Sequence, residues 1–318
     1  MPIRMVTYIR RMRGGSSPHM MCAEDGHPYV VKLLGNPQGN GVLLNELLAS
    51  QLGKMMGLPV PEVREVVLDP HIFEDAPYLS ERNRRSQLHV AIRVPVTFLT
   101  GQVFDVISRA ARLRNPQAIY GACLFDAWTG NVDRRQFVFW KTCRQHLYSV
   151  LLIDNGYCFG GPHWKLGLQR LDPIQYAAVM PELKFLLGVA DKVWWRDILV
   201  PKAMSLQEIA KIRENLRFWT GKLAQIENEQ IETAVRQAPS EWGASELDLG
   251  SLTQDLIRRK EALVSWAKEG TDAAASRFGR VLQQLRFASG NGDCGSGTRY
   301  RRQDSSSSPK ALACSGGL

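Results

Sequence analysis

Leu124-Phe125-Asp126-Ala127-Trp128-Thr129-Gly130-Asn131-Val132-Asp133-Arg134-Arg135-Gln136-Phe137-Val138-Phe139-Trp140 and, a short polar connection later, Tyr148-Ser149-Val150-Leu151-Leu152-Ile153-Asp154-Asn155-Gly156-Tyr157-Cys158-Phe159 form the stretch around which the chain is organised. Phe137 to Trp140 and Val150 to Ile153 are short apolar runs, rich in β-branched and aromatic residues and bounded by polar turn residues, so both are predicted strands. Thr142 to His146 is polar and joins them as a hairpin. Asp133 precedes the first strand and Asp154 ends the second. A hairpin brings its ends together, so the two carboxylates can share one cleft. With Asn131 and Gln136 nearby, the result is an oxygen-rich set suited to a hard cation such as Mg²⁺. A plainer reading competes with this one, because Asp before a strand and Asp-Asn-Gly at 154–156 are ordinary turn formers.

Features upstream favour the chemical reading. Met5 to Ile9, Met20 to Cys22 and Tyr29 to Leu34 are predicted as consecutive antiparallel strands, with Gly14-Gly15-Ser16-Ser17 at the first tip. Glycines there let backbone amides approach phosphate oxygens closely, although the same composition also makes an inert turn. A helix is predicted from Val42 to Met56, with Leu44, Leu47, Leu48, Leu52 and Met55 on one face, stopped by Gly57-Leu58-Pro59. Lys32 stands in a strand among valines and leucines, and Glu46 stands in a helix among leucines. The two either face solvent or pair with each other.

Val60 to Leu68 and Leu88 to Val94 are further predicted strands, with residues 69–87 as loop. Gln102 to Leu113 has the pattern of an amphipathic helix, and Asn115-Pro116 opens another that runs through Trp128. Past Phe159 the chain is predicted to be helical, at Asp172-Pro173, over Pro181 to Leu199, from the capping box Ser205-Leu206-Gln207-Glu208, and through residues 222–236. Pro239 to Gly250 breaks the pattern, and Ser251-Leu252-Thr253-Gln254 is expected to cap a last helix ending near Phe287. The tail after Ala288 is rich in Gly, Ser and Arg, lacks apolar periodicity and is expected to be disordered. The expected organisation is α+β, with a small β-rich unit carrying one helix over 1–97, a helical unit carrying the hairpin over 98–287, and the tail over 288–318.

Composition narrows the function. The 318 residues are 44% hydrophobic, enough for a sizeable core, and carry a net charge of +9. That excess suits nucleotides or acidic partners. It is scattered in short clusters such as Arg82-Asn83-Arg84-Arg85, without interleaved aromatics or a recognisable module, so nucleic acid is not an expected partner. The six cysteines include no C-x-x-C pair, which argues against zinc and fits a reducing compartment. With no signal-peptide core and no apolar run of membrane-spanning length, a cytoplasmic location is expected.

A glycine turn, a strand Lys, a helix Glu, an Asp loop and a strand-terminal Asp follow one another in an order that resembles the bilobal protein-kinase-like architecture. The details are most similar to the HipA-like kinases. Tyr29-Val30-Val31-Lys32, Asn45-Glu46-Leu47 and Gly57-Leu58-Pro59-Val60-Pro61 resemble the N-lobe pattern of that family. Phe125 to Gln136 resembles its catalytic loop and Ile153 to Phe159 its metal-binding segment. The resemblance covers roughly residues 5–270. It implies an ATP- and Mg²⁺-dependent phosphotransferase acting on a protein acceptor. Lys32 would contact the nucleotide phosphates, with Glu46 as its partner. Gly14, Gly15, Ser16 and Ser17 would cover them. Asp133 would be the catalytic Asp, with Asn131 beside it, and Asp154 the main metal ligand. The chain departs from the family in two places. The turn has no G-x-G-x-x-G, and Val138 stands where the family carries a metal-binding Asn. Gln136 is the candidate replacement for that Asn. An active kinase, a transferase with an unusual acceptor and a pseudokinase that binds nucleotide or a partner protein without turnover all fit these residues.

Overall fold

Side chains that alternate in and out along the first strands line one core. Ile3 and Met5 of β1 (Ile3–Arg11), Met21 and Ala23 of β2 (His19–Ala23) and Tyr29 and Val31 of β3 (Pro28–Lys32) are buried together with Val66 and Ala91, as the two-residue period of a strand requires. Val66 belongs to β4 (Val63–Leu68) and Ala91 to β5 (His89–Arg93). The five strands close into a barrel in the order β1-β2-β3-β5-β4. Its seam is a parallel pairing of β1 with β4, Ile3 opposite Val66. Closure leaves no free edge on this sheet. Between β3 and β4 runs α1 (Gly41–Met55), which packs on β4 and β5. The computed structural model describes residues 2–79, 87–97, 100–107, 111–164, 166, 171–178, 180 and 205–268, all within a unit spanning Met1–Thr271.

A second, three-stranded sheet contains the hairpin. It orders β6 (Gly101–Phe104), β7 (Gln136–Thr142) and β8 (Ser149–Ile153) as β6-β7-β8. Phe137 faces Leu152 and Phe139 faces Val150 in the antiparallel register. The backbone of Leu152 also donates to the carbonyl of Pro59 (2.9 Å), which ties the hairpin to the segment after α1. Behind the sheet lies α3 (Gln117–Thr129), buried from Ala118 to Thr129. A helix apolar all round belongs in an interior. Three helices pack on it, namely α4 (Pro173–Ala178), α5 (Leu206–Ala224) and α7 (Glu246–Lys268), and α6 (Asn228–Arg236) packs on α1 and α7. No helix among the described residues is long and apolar enough to cross a membrane.

Three expectations are corrected. Residues 101–104 form β6, paired with Thr142 to Phe139, rather than the start of a helix over Gln102 to Leu113. Gly101 lies so close to β7 that an added Cβ would sit 2.5 Å from the Lys141 carbonyl oxygen. Strand pairing therefore overrides the local helical spacing. The last helix begins at Glu246, not after Ser251. The Ser245 hydroxyl accepts from the Asp248 amide (3.1 Å) and the Asp248 carboxylate accepts from the Ser245 amide (3.2 Å). That is a capping box with Asp in place of Glu or Gln. Within the expected loop at 69–87, a short helix α2 (Ile72–Asp75) brings Ile72, Ala76 and Leu79 onto the barrel core. The expected helix over 181–199 and the expected disordered tail lie outside the described residues.

Candidate active site

Strand geometry decides where Lys32 goes. Val31 and Leu33 point into the barrel, so Lys32 between them points out of it. There its Nζ donates to Glu46 Oε1 of α1 at 2.6 Å and to Asp154 Oδ1 at 2.9 Å. Glu46 is 1% exposed and Lys32 4%. Burial would lower the pKa of the Lys32 ammonium, but the charges and hydrogen bonds of Glu46 and Asp154 outweigh it and hold the pKa above the ordinary value. The strand Lys and the helix Glu thus pair rather than face solvent.

Asp154 directly follows β8 in the left-handed region, φ 56°. That turn directs its carboxylate at Lys32 while leaving the side chain 37% exposed. Its second oxygen, Oδ2, accepts from Gln136 Nε2 at 3.0 Å. Gln136, the first residue of β7, pairs with Ile153 across the hairpin. Glu46, Lys32, Asp154 and Gln136 therefore form one chain of contacts drawn from α1, β3, β7 and the turn after β8.

The other half of the predicted site is held by a sealed network. Arg135 Nε donates to both oxygens of Asp126 (3.0 and 3.2 Å), and its Nη2 also binds Oδ1. Nη1 donates to the Ile153 carbonyl (3.2 Å) and to Asn155 Oδ1 (2.7 Å). Asn131, 1% exposed, donates to Asp126 Oδ1 (3.0 Å) and accepts from the Asp133 amide (3.1 Å). Asp133 itself is exposed, and its carboxylate accepts only from the adjacent Arg134 amide (2.7 Å) among the described residues. The loop around Asn131 is laced to the one after Asp154 by three backbone bonds: Val132 to Tyr157, Phe159 to Thr129 and Gly160 to Gly130.

From the other side, α1 clamps the same loop. Asn45 Nδ2 donates to the carbonyls of Gly156 (2.8 Å), Cys158 (3.0 Å) and Gly161 (3.3 Å), and its Oδ1 accepts from Trp164 Nε1 (2.8 Å). Glu46 Oε2 accepts from the Asn155 amide (3.1 Å). An added Cβ at Gly156 would lie 2.8 Å from Val42 Cγ1, so the close approach of this loop to α1 needs glycine. Asp126, Arg135, Asn155 and Asn45 lie inside the motifs read from the sequence but carried no assigned role there. The available signal was a lone carboxylate, Asp126, inside the apolar run Leu124 to Trp128, since a buried acid needs a buried partner.

The glycine turn lies at the tip of β1 and β2. Ser17 has φ 45°, its amide donates to the Gly14 carbonyl (3.1 Å), and Asn36 Nδ2 donates to the Ser16 carbonyl (3.0 Å). The Ser17 hydroxyl accepts from Arg11 Nη2 (3.0 Å). Among the described residues, no hydrogen bond or ion pair joins Gly14, Gly15, Ser16 or Ser17 to Lys32 or Asp154.

Residues 5–159 match the family model described as HipA-like kinase. Over that span the chain is similar to the HipA-like kinases. Comparison with curated proteins returned no match. Among solved structures, the chain is similar to the Helicobacter pylori proinflammatory kinase CtkA, with 15% identity, 86% of this chain and 100% of that one covered, and a TM-score of 0.49. The Golgi casein kinase with Mn/ADP bound is similar at 10% identity, with 84% and 73% covered and a TM-score of 0.44. HipA of Shewanella oneidensis MR-1, in complex with HipB and its operator DNA, is similar at 14% identity, with 77% and 60% covered and a TM-score of 0.40.

Proposed function

We propose that this chain is an ATP- and Mg²⁺-dependent phosphotransferase of the HipA-like kind, with a protein hydroxyl as acceptor. The barrel with α1 would form its N-lobe and the hairpin with the helices its C-lobe. The observation that carries the reading is the contact between Lys32 and Asp154, 122 positions apart, with Glu46 closing the triad. Phosphoryl transfer asks a protein for alignment and charge neutralisation, and a buried, permanently charged Lys beside a part-exposed carboxylate supplies both.

The residues fit the metal. No group of three or more His, Cys, Asp or Glu able to hold an ion occurs among the described residues. Mg²⁺ needs only one or two protein carboxylates, with phosphate oxygens and waters completing its octahedron. Asp154 would hold it, and Gln136 could present its amide oxygen by rotating about χ3. The ion would neutralise charge on the phosphates. Lys32 would bind a phosphate oxygen, released in part from Asp154 once that carboxylate has another cation. Asp133, exposed on its loop, would orient or deprotonate the acceptor hydroxyl. Asn131 would position Asp133 through its hydrogen bond to the Asp133 amide.

One observation favours a second reading, a kinase-like module that binds nucleotide without turnover. Val138, at the position of the family's metal-binding Asn, is buried in β7 and offers no ligand. Incubation of the full chain with labelled ATP and Mg²⁺, with and without candidate protein acceptors, separates the two. Label transfer that disappears in Asp133→Asn supports the kinase. Magnesium-dependent ATP binding without turnover supports the silent module. Absence of magnesium-dependent ATP binding sinks both.

A further inference from the structure

A cavity of about 190 Å³ opens beside the barrel core, lined by Leu33 and Leu79 of that core, and Lys32 is not among its described lining residues. His19, which also lines it, sits opposite Val31 in the β2–β3 register and so shares the inward face of Val31. Arg11, Ser16, Ser17, His19, Asn36 and Tyr78 are its polar lining residues. The two serines of the glycine turn thus line this cavity.

The lining has the chemistry of an oxyanion site. Among the described residues that line it, Arg11 is the charged one and none is a carboxylate. The Arg11 guanidinium binds the Ser17 hydroxyl (3.0 Å). His19 is 4% exposed, and its Nδ1 has no hydrogen-bond partner. Burial, with Arg11 adding to it, lowers the His19 pKa to about 4, so the imidazole is neutral near pH 7 and offers one N–H. The Tyr78 ring lies tilted, 6.2 Å from the His19 ring, and its hydroxyl shares a hydrogen bond with the Tyr8 hydroxyl. Size sets the ligand class. Pockets for drug-sized ligands run from about 300 Å³ upward, and a water takes about 30 Å³. The cavity thus has room for a small anion with a few waters, not for a whole nucleotide.

We propose that this cavity binds a small oxyanion of the phosphate class, at a site that does not include Lys32. The anion would accept from Arg11, the Ser16 and Ser17 hydroxyls and Tyr78. It can be free phosphate or a phosphoryl group on a side chain. The inference rests on no assignment at Lys32, Asp133 or Asp154.

The test is titration of the full chain with inorganic phosphate, O-phosphoserine and acetate, by calorimetry and by NMR of labelled protein. Inorganic phosphate should bind saturably, shift the His19 and Tyr78 ring signals, and leave the Asn155 and Gly156 amides unmoved. Arg11→Gln, at an exposed position, should weaken binding about tenfold through loss of a charge-assisted contact. Tyr78→Phe should weaken it less. O-phosphoserine binding as tightly as phosphate identifies a phosphorylated side chain as the source, and binding of phosphate alone identifies the free ion. Both outcomes support the site. Acetate matching phosphate in affinity and in dependence on Arg11 would overturn the phosphate class. Shifts confined to Asn155 and Gly156, binding indifferent to Arg11→Gln, or no saturable binding would overturn the site.

Discussion

Lys32 and Arg135 each meet carboxylate close to the turn that follows Ile153, yet the two clusters end differently. At Arg135 both partners are closed off, with Arg135 and Asp126 side chains each 1% exposed. At Lys32 the Glu46 side is equally closed, but the Asp154 side is 37% exposed and answered by an exposed Gln136. Burial costs an ion its hydration, which a partner and further hydrogen bonds must offset. The Arg135–Asp126 pair meets that requirement through the Ile153 carbonyl, Asn155 Oδ1 and Asn131, leaving Asn155 Nδ2 as the buried group of the cluster without a partner among the described residues. The Lys32 cluster meets it on one side only. A charge satisfied on all sides holds a loop, whereas one left half in water can exchange partners. Asn155 joins the two, since its side chain accepts from Arg135 and its amide donates to Glu46.

The largest expected effect comes from removing the open carboxylate. Asp154→Ala should abolish magnesium-dependent ATP binding and cut turnover by on the order of 10³-fold or more. Its melting temperature should stay near wild type, because Lys32 retains Glu46. Normal ATP·Mg²⁺ binding by this variant would end the kinase-like reading of the open cluster. Asp133→Asn comes next. It should lose turnover while keeping ATP·Mg²⁺ affinity within a few-fold, because among the described residues Asp133 hydrogen-bonds only within its own loop. Wild-type turnover in this variant would show that Asp133 is a turn former.

Breaking the closed cluster should read out as stability. Arg135→Met leaves Asp126 buried and charged, and should cost about 3–5 kcal/mol in chemical denaturation. A loss under about 1 kcal/mol, the range of a surface pair, would show that the Arg135 network is not sealed in solution. The smallest effect concerns a group outside both clusters. His89 is fully buried, its Nδ1 accepts from the Leu34 amide (3.0 Å), and burial lowers its pKa to about 4. A folded pKa below the unfolded one of about 6.5 means that the unfolded chain binds the extra proton. The stabilisation is therefore complete above about pH 6.5 and is lost as the pH falls toward 4, by at most about 3 kcal/mol. His89→Gln can still accept from Leu34 and should flatten that part of the stability–pH curve. An unchanged slope would place the proton uptake elsewhere, with His19 the next candidate.

Much of the fold could be read locally. The hairpin, α1 and the three opening strands stood out because apolar period and turn residues agree there with the tertiary structure. Where tertiary contact outvoted local pattern, the reading failed. Gln102 to Phe104 has helical spacing but gains a strand partner in β7, and Ser251 resembles a cap although Ser245 is one.

For the site, Lys32 and Glu46 stood out in the sequence because a charge placed among apolar residues must find a partner or a use, while Asp133, Asp154 and Gln136 were named from the hairpin and the family resemblance. The structure joins Glu46, Lys32, Asp154 and Gln136. What only the tertiary structure decided is which charges share a partner and which face water. That Lys32 meets Asp154, that Arg135 closes over Asp126, and that the serines of the glycine turn line the cavity beside the barrel core all depend on strand faces, on one left-handed turn and on how closely α1 approaches Gly156. Each of these contacts spans a sequence separation over which no local period carries information, and packing alone brings its partners within hydrogen-bonding distance.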